Sequence, residues 1–290
     1  MAYASKPSSN AAQIADWNAA VGRTWTQFQE QLERQLDPLG REALRALAPM
    51  PGEHILDIGC GCGATTLDLA VRVGRAGSVV GVDVSVPMLE VARRRSRPAD
   101  AGRAEFLQLD AQHDTLGSAA FDAAFSRFGV MFFSDPVAAF RNILTSLKHG
   151  GRLVCVCWRR LEDNPWVRVP LEAARPFLAD AAPADSTAPG PFAFAAASRV
   201  RSILIDAGFA SVAATPFDSL IGGADLEQTL KLALRVGPLG AALREHPELE
   251  PLVTGPVREA LRNYLTAAGV RMPCATWIIS ARTNGRQLSA

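Results

Sequence analysis

LDIGCGCGATT, running from Leu56 to Thr66, is the stretch on which the reading of this chain turns. An apolar strand, HILDI, leads straight into Gly59, Gly61 and Gly63, and a helical pattern follows at once. Glycine at such a turn permits unusual dihedrals and lets a ligand approach the backbone closely. In an open parallel sheet, ligands bind outside the carboxyl ends of the strands near the topological switch point, and this loop is expected there. The glycines leave the ligand open, because Gly59, Gly61 and Ala64 also satisfy the G-x-G-x-x-G/A dinucleotide fingerprint. Asp57 narrows the choice. Its carboxylate, two residues before the first glycine, would repel a pyrophosphate but suits a cationic group such as a methionine amine.

Working outward, SVVGV, AEFLQL, FDAAFS and RLVCVCW read as further strands, with helical periodicity over 64–74, 86–96 and 135–148 between them. This alternation specifies a parallel sheet with right-handed crossovers and helices on both faces. Asp83 ends the second strand, twenty positions past Gly63, where a carboxylate can accept both hydroxyls of a ribose. Asp110 ends the next strand in FLQLDAQ, within reach of an adenine amino group. Any one aspartate at a strand end reads as a helix cap or turn former. Three of them at the ends of the first three strands point to a nucleoside-bearing ligand.

With LDIGCGCG, VVGVDVSVPMLEVAR, FLQLDAQ, FDAAFSRFGVMFFSDPVAAFRNIL and LKHGGRLVCVCW in hand, the chain resembles class I S-adenosylmethionine-dependent methyltransferases. Within them it is similar to the small-molecule group that includes the ubiquinone/menaquinone C-methyltransferases. The match is close from Glu53 to Trp158, and AGF followed by a strand and then PCATWIISAR continue it. The resemblance implies an α/β, Rossmann-like, doubly wound and mostly parallel seven-stranded sheet with one antiparallel strand. It implies that Asp57, Gly59, Cys60 and Gly61 hold the methionine portion of S-adenosylmethionine and that Asp83 binds its ribose. Val84 and Met88 would lie against adenine, with Asp110 and Ala111 at the adenine edge. Ser126 would face the sulfonium and Arg127 the acceptor. The fourth-strand segment FSRFGVMFF lacks the Asn/Asp-Pro-Pro-aromatic signature of methyltransferases acting on nucleobase amino groups. Asn164-Pro165-Trp166 echoes that signature after the fifth strand, and reads as a turn opening a substrate cap.

The flanks divide the chain into three parts. Residues 1–50 read as an N-terminal helical cap, with Phe28, Leu32, Leu36, Leu39 and Leu44 at helical intervals and APMPG as its boundary. Residues 51–158 form the cofactor-binding core. Residues 159–290 complete the sheet with strands near 210–221 and at CATWIISAR, and carry helical insertions at 225–236 and 248–267. The Ala/Pro-rich stretch 179–197 reads as a loop. Trp17, Trp25 and Phe28 before the sheet, and Trp166, Phe177, Phe192 and Phe194 after it, favour an apolar or aromatic acceptor.

Composition bounds the partners. Hydrophobic residues make up 48%, and a formal net charge of +1 supplies no field to recruit nucleic acid or an anionic membrane. The expected partner is a small molecule. Arg93, Arg94, Arg95 and Arg97 read as cations solvating the end of a helix. No apolar run reaches the ~20 residues of a membrane span. The opening MAYASKPSSNAAQIADWN lacks a secretory pattern, and five cysteines form no disulfide scaffold, so a cytoplasmic location is expected. Cys60 with Cys62, and Cys155 with Cys157, do not have zinc-site spacing, and no metal is expected. His113, just past Asp110, is the one histidine placed to act as a general base. Two other readings stand beside methyl transfer: an NAD(P)-linked oxidoreductase, disfavoured by Asp57, and a methyltransferase-like binding protein without turnover.

Overall fold

The structure is a computed structural model that describes residues 10–178 and 188–284. Three helices open it: α1 (Ala11–Asn18), α2 (Ala20–Gln27) and α3 (Gln29–Leu47). The core follows as β1 (His54–Ile58), α4 (Ala64–Val73), β2 (Ser78–Asp83), α5 (Val86–Arg94), β3 (Arg103–Gln108) and β4 (Phe121–Arg127). Then come α6 (Pro136–Ser146), β5 (Leu147–Trp158), α7 (Pro165–Ala174), α8 (Ala197–Asp206) and β6 (Ala210–Ile221). The last elements are α9 (Leu226–Ala233), α10 (Gly237–Glu245), α11 (Glu250–Arg262), β7 (Leu265–Thr266), β8 (Gly269–Val270) and β9 (Met272–Arg282).

Seven strands form one sheet in the order β3-β2-β1-β4-β5-β9-β6. Neighbours from β3 to β5 are parallel, whereas β9 runs antiparallel to both β5 and β6. The fold is therefore Rossmann-like, with β9 as its one reversed strand. From β1 the chain steps outward to β2 and β3, then returns to β4 on the other side of β1. That reversal opens a crevice at the carboxyl ends of β1 and β4.

Local sequence explains the elements. Apart from His54, the residues of β1 are buried, and Leu153–Trp158 of β5 are at most 5% exposed, as expected for strands covered on both faces. Pro136 begins α6, and the Asp135 carboxylate caps it by accepting the Ala138 N–H at 3.0 Å. Gly208, at φ +102°, ends α8 in the left-handed region. Two helical readings need correction. The stretch 248–267 is a shorter helix, α11, followed by the β7–β8 hairpin, and Gly237-Pro238 opens a separate helix, α10. The pattern over 135–148 stops at Ser146, because Leu147 already pairs with Phe121 in the sheet. Of the 179–197 stretch, residues 179–187 lie outside the described residues, and 188–196 form bends and turns.

Two apolar clusters besides the sheet core matter for the site. Leu230, Leu239, Leu243, Val253, Val257 and Leu261 of α9–α11 pack together with Ala174 of α7. Phe28 and Leu32 at the start of α3 pack on Leu232 of α9, so N-terminal and C-terminal helices meet above the sheet. No helix among the described residues is long and apolar enough to cross a membrane.

Candidate active site

A cavity of about 450 Å³ lies at the crevice between the ends of β1 and β4. Its floor is the β1–α4 turn, where Gly59 and Gly61 have φ of +67° and +55°. A Cβ on Gly59 would stand 2.8 Å from the Gly129 Cα, and one on Gly61 would stand 2.8 Å from the Met88 Cε. At Gly59 both dihedral and backbone space require glycine, whereas at Gly61 the dihedral does, since the end of the Met88 side chain can move aside.

The three strand-end acids differ in their surroundings. Asp83 lines the cavity, and its carboxylate accepts N–H bonds from Gly61 and Ser85, each at 2.8 Å. Burial pushes its pKa above the ordinary carboxylate value, against those two bonds. Asp110 also lines the cavity. It accepts from the Gln112 N–H at 2.9 Å and from the Asn10 amide at 2.7 Å. Asp57 lies beneath the wall, fully buried, where Thr65 and Thr66 donate to its Oδ2 at 2.6 and 2.7 Å. Its Oδ1 has no partner, and burial raises its pKa. Asp57 thus lies behind the glycine turn and does not line the cavity itself.

The remaining sequence candidates separate. Cys60, Val84, Met88 and Ala111 line the cavity together with the glycines. Burial raises the thiol pKa of Cys60, with Asp83 and Asp57 adding to it, and takes that of Cys62 to about 12, so both stay protonated at neutral pH. Ser126 is fully buried and does not reach the cavity. Its hydroxyl donates to the Ile58 carbonyl at 2.8 Å and accepts the Gly129 N–H at 3.2 Å, pinning the end of β1 to the turn after β4. His113 is exposed on the turn after Asp110, outside the cavity wall, with its Nε2 2.9 Å from the Gln112 amide. Strand position identified both residues but did not reveal which way each side chain points.

Arg127, the last residue of β4, does line the cavity. Its stem passes over Gly40 of α3, where a Cβ would stand 3.1 Å from the Arg127 Cδ. Among the described residues it makes no hydrogen bond and no ion pair, and Asp135 is occupied as the α6 cap. Burial lowers its pKa, opposed by the negative charges of Asp57, Glu33 and Asp37. Phe128 follows with φ +62°, a costly conformation for a bulky residue. Its ring stacks on Trp158 at 4.2 Å and 14°, and Trp158 packs on Trp166 at 4.7 Å. Arg127 and these three rings line the same cavity.

Several contributors were not visible in the sequence. Arg95 belongs to the run read as solvating cations, yet it pairs with Glu33 of α3 and donates to the Cys62 carbonyl at 3.1 Å. It ties the N-terminal helices to the glycine turn. Asn18 clamps the loop after β2, donating to the Val84 carbonyl and accepting the Val86 N–H, each at 2.9 Å. Asn164-Pro165-Trp166, read from the sequence as a turn, opens α7, and what the sequence did not show is its contacts, the Asn164 Oδ1 accepting from the Trp166 indole at 3.1 Å and the Ala275 N–H at 3.0 Å. These contacts join segments far apart in the chain, and no local pattern marks them.

Comparison with known proteins agrees with the fold. Residues 55–151 match the family model described as a methyltransferase domain. Aklanonic acid methyltransferase DauC of Streptomyces sp. (strain C5) is 34% identical over 116 residues, 40% of this chain and 53% of that protein. A demethylmenaquinone methyltransferase of Clavibacter sepedonicus is 36% identical over 164 residues, covering 56% of this chain and 63% of that one. The chain thus spans about half to two thirds of the length of these relatives. The YcgJ protein from Bacillus subtilis shares the fold, with a TM-score of 0.57 at 17% identity, covering 85% of this chain and 98% of that chain.

Proposed function

We propose that this chain, whose residues 55–151 form a methyltransferase domain, transfers a methyl group from S-adenosylmethionine to a small aromatic or apolar acceptor. The observation that carries this reading is one continuous cavity that joins the glycine turn and its acids to an aromatic wall and an unpaired guanidinium. The residues suit S-adenosylmethionine. The turn has no side chains at Gly59 and Gly61 to obstruct a ligand, and the Asp83 carboxylate stands at the wall. The buried Asp57 charge favours a cationic ligand above it.

Gly59, Cys60 and Gly61, with the field of Asp57, would hold the methionine portion. Asp83 would hold the ribose, Val84 and Met88 the adenine face, and Asp110 with Ala111 the adenine edge. When bound, the cofactor supplies a sulfonium methyl group for in-line displacement. The protein's own part is orientation and exclusion of water. Arg127 would hold an oxygen of the acceptor, and Phe128, Trp158 and Trp166 its apolar body. Ser126 serves this arrangement as a positioning residue by fixing the turn that carries Arg127 and Phe128. His113 stands outside the cavity, so no proton transfer is assigned to it. In this scheme residues 51–158 are the cofactor-binding core. Residues 1–50 and the helices of 159–290 are the caps over the acceptor, and the location is cytoplasmic.

Calorimetry tests the reading. S-adenosylhomocysteine is expected to bind and NADH is not. Binding of NADH without any response to S-adenosylhomocysteine would reverse the assignment.

A further inference from the structure

Thirteen polar or charged side chains are buried among the described residues. Every one of them except Gln35 makes a side-chain hydrogen bond. Buried polar groups are almost always paired, so the exception calls for an explanation. Gln35 is 6% exposed and lies on α3 beside Leu32 and Leu36. Its amide is not sealed off. Among the described residues, the buried side-chain atoms lacking both partner and solvent are Gln29 Oε1 and Asp57 Oδ1, and Gln35 stands in the wall between the cavity and a second pocket of about 30 Å³, lining both. Around it stand Trp166 and Val167 of α7 with Val236 and Pro238 at the start of α10, all apolar. For packing alone, a leucine or methionine would serve better at this position.

We propose that Gln35 determines acceptor specificity by recognising a second polar substituent on the acceptor. This rests on the methyl-transfer reading above and specifies its substrate class. The guanidinium of Arg127 takes an anionic oxygen, while the Gln35 amide, in apolar surroundings, takes an uncharged group. A carboxamide offers one acceptor and two donors, so it fits a hydroxyl or a carbonyl equally. The acceptor is therefore an aromatic ring system with an ionised oxygen at one position and a neutral hydroxyl or carbonyl at another. The ring body lies against Phe128, Trp158 and Trp166 between the two.

The test is calorimetry on the full chain, with and without S-adenosylhomocysteine, using pairs of aromatic carboxylates that differ by one remote hydroxyl. The pairs are 4-hydroxybenzoate with benzoate, 6-hydroxy-2-naphthoate with 2-naphthoate, and 4′-hydroxybiphenyl-4-carboxylate with its deoxy form. At least one hydroxylated member is expected to bind ten times more tightly than its partner. That preference should fall below twofold in Gln35→Met, while affinity for the deoxy member is retained. Gln35→Leu carries the same test if the methionine variant does not fold. The proposal is overturned if wild type distinguishes no pair by more than twofold, or if the preference survives in the variant. Failure of S-adenosylhomocysteine to bind would instead overturn the cofactor reading, and the pairs titrated without it still report on Gln35.

Discussion

Replacing Asp83 with asparagine separates the two tasks of that carboxylate. In the native chain its two oxygens accept the backbone N–H groups of Gly61 and Ser85, so it shapes the loop that it also presents to the ligand. In Asp83→Asn the amide oxygen keeps one of these donors, and the amide nitrogen faces the other. One buried N–H is left without an acceptor, at a cost of about 1–3 kcal/mol. For a chain of this size each kcal/mol lowers Tm by roughly 2–4 °C, so a drop of several degrees is expected. Ligand affinity falls separately. Hydrogen bonds to a charged group contribute about 1.5–3 kcal/mol, against about 0.5–1.5 for neutral pairs. Losing the charge should weaken S-adenosylhomocysteine binding by roughly tenfold or more. Isothermal titration at 25 °C, on protein shown to be folded by its thermal melt, reads the second effect apart from the first. A folded variant with Kd within twofold of wild type would mean that the ribose is held elsewhere.

Other outcomes follow from the same geometry. Arg127→Met should raise the acceptor KM or lower kcat tenfold or more, while changing S-adenosylhomocysteine affinity less than twofold. Because an unpaired, half-buried cation is removed, Tm should hold or rise, and a fall in Tm would make Arg127 structural. Burial holds the Asp57 and Asp83 pKa values above the ordinary one, so folding favours their protonated forms. Their contribution to apo-protein stability is thus fully present below the ordinary value and is lost as pH rises through the raised ones. Ligand affinity runs the other way. Binding of S-adenosylhomocysteine should weaken on acidification at pH values above the ordinary carboxylate pKa of about 4, and a Kd unchanged from pH 8 down to that point would count against a role for either acid. In hydrogen exchange, S-adenosylhomocysteine should protect α1, which clamps the loop after β2, α3, which is tied through Arg95 to the glycine turn, and also α7; protection in none of them would remove the closing role given to these helices.

The core was legible because its signals are local. HILDI before three glycines, and an aspartate at the end of each of three strands, place a crevice and its charges without any tertiary information. Strand β9 was legible as CATWIISAR, but that it is the one reversed strand came through the resemblance, since direction within a sheet leaves no periodic mark. Direction of side chains was the weaker point. Ser126 and Arg127 are neighbours at the end of β4, yet strand alternation turns one into the core and the other into the cavity. Gln35, Glu33 and Asn18 gain their meaning from a sheet that follows them in the chain. A helix read alone could show an apolar stripe but not what its polar residues would face. Helix α10 was missed and the β7–β8 hairpin was merged into the end of α11 at 237–270.

Gly129 differs from the glycines of the first turn, because its backbone is ordinary, at φ −83° and ψ −39°. What it lacks is room. A Cβ there would stand 2.8 Å from the Ile58 carbonyl oxygen and 2.9 Å from the Gly59 Cα. Two loops that leave different strands thus touch backbone to backbone, and neither position can acquire a side chain unless the loops part. Divergence at the two positions is therefore coupled. Chains descended from this one can vary the aromatic wall and exchange acceptors, but both residues should stay glycine for as long as the loops meet. A descendant with alanine at only one of them would show that the contact has been dismantled, and with it the spacing between the two halves of the cavity.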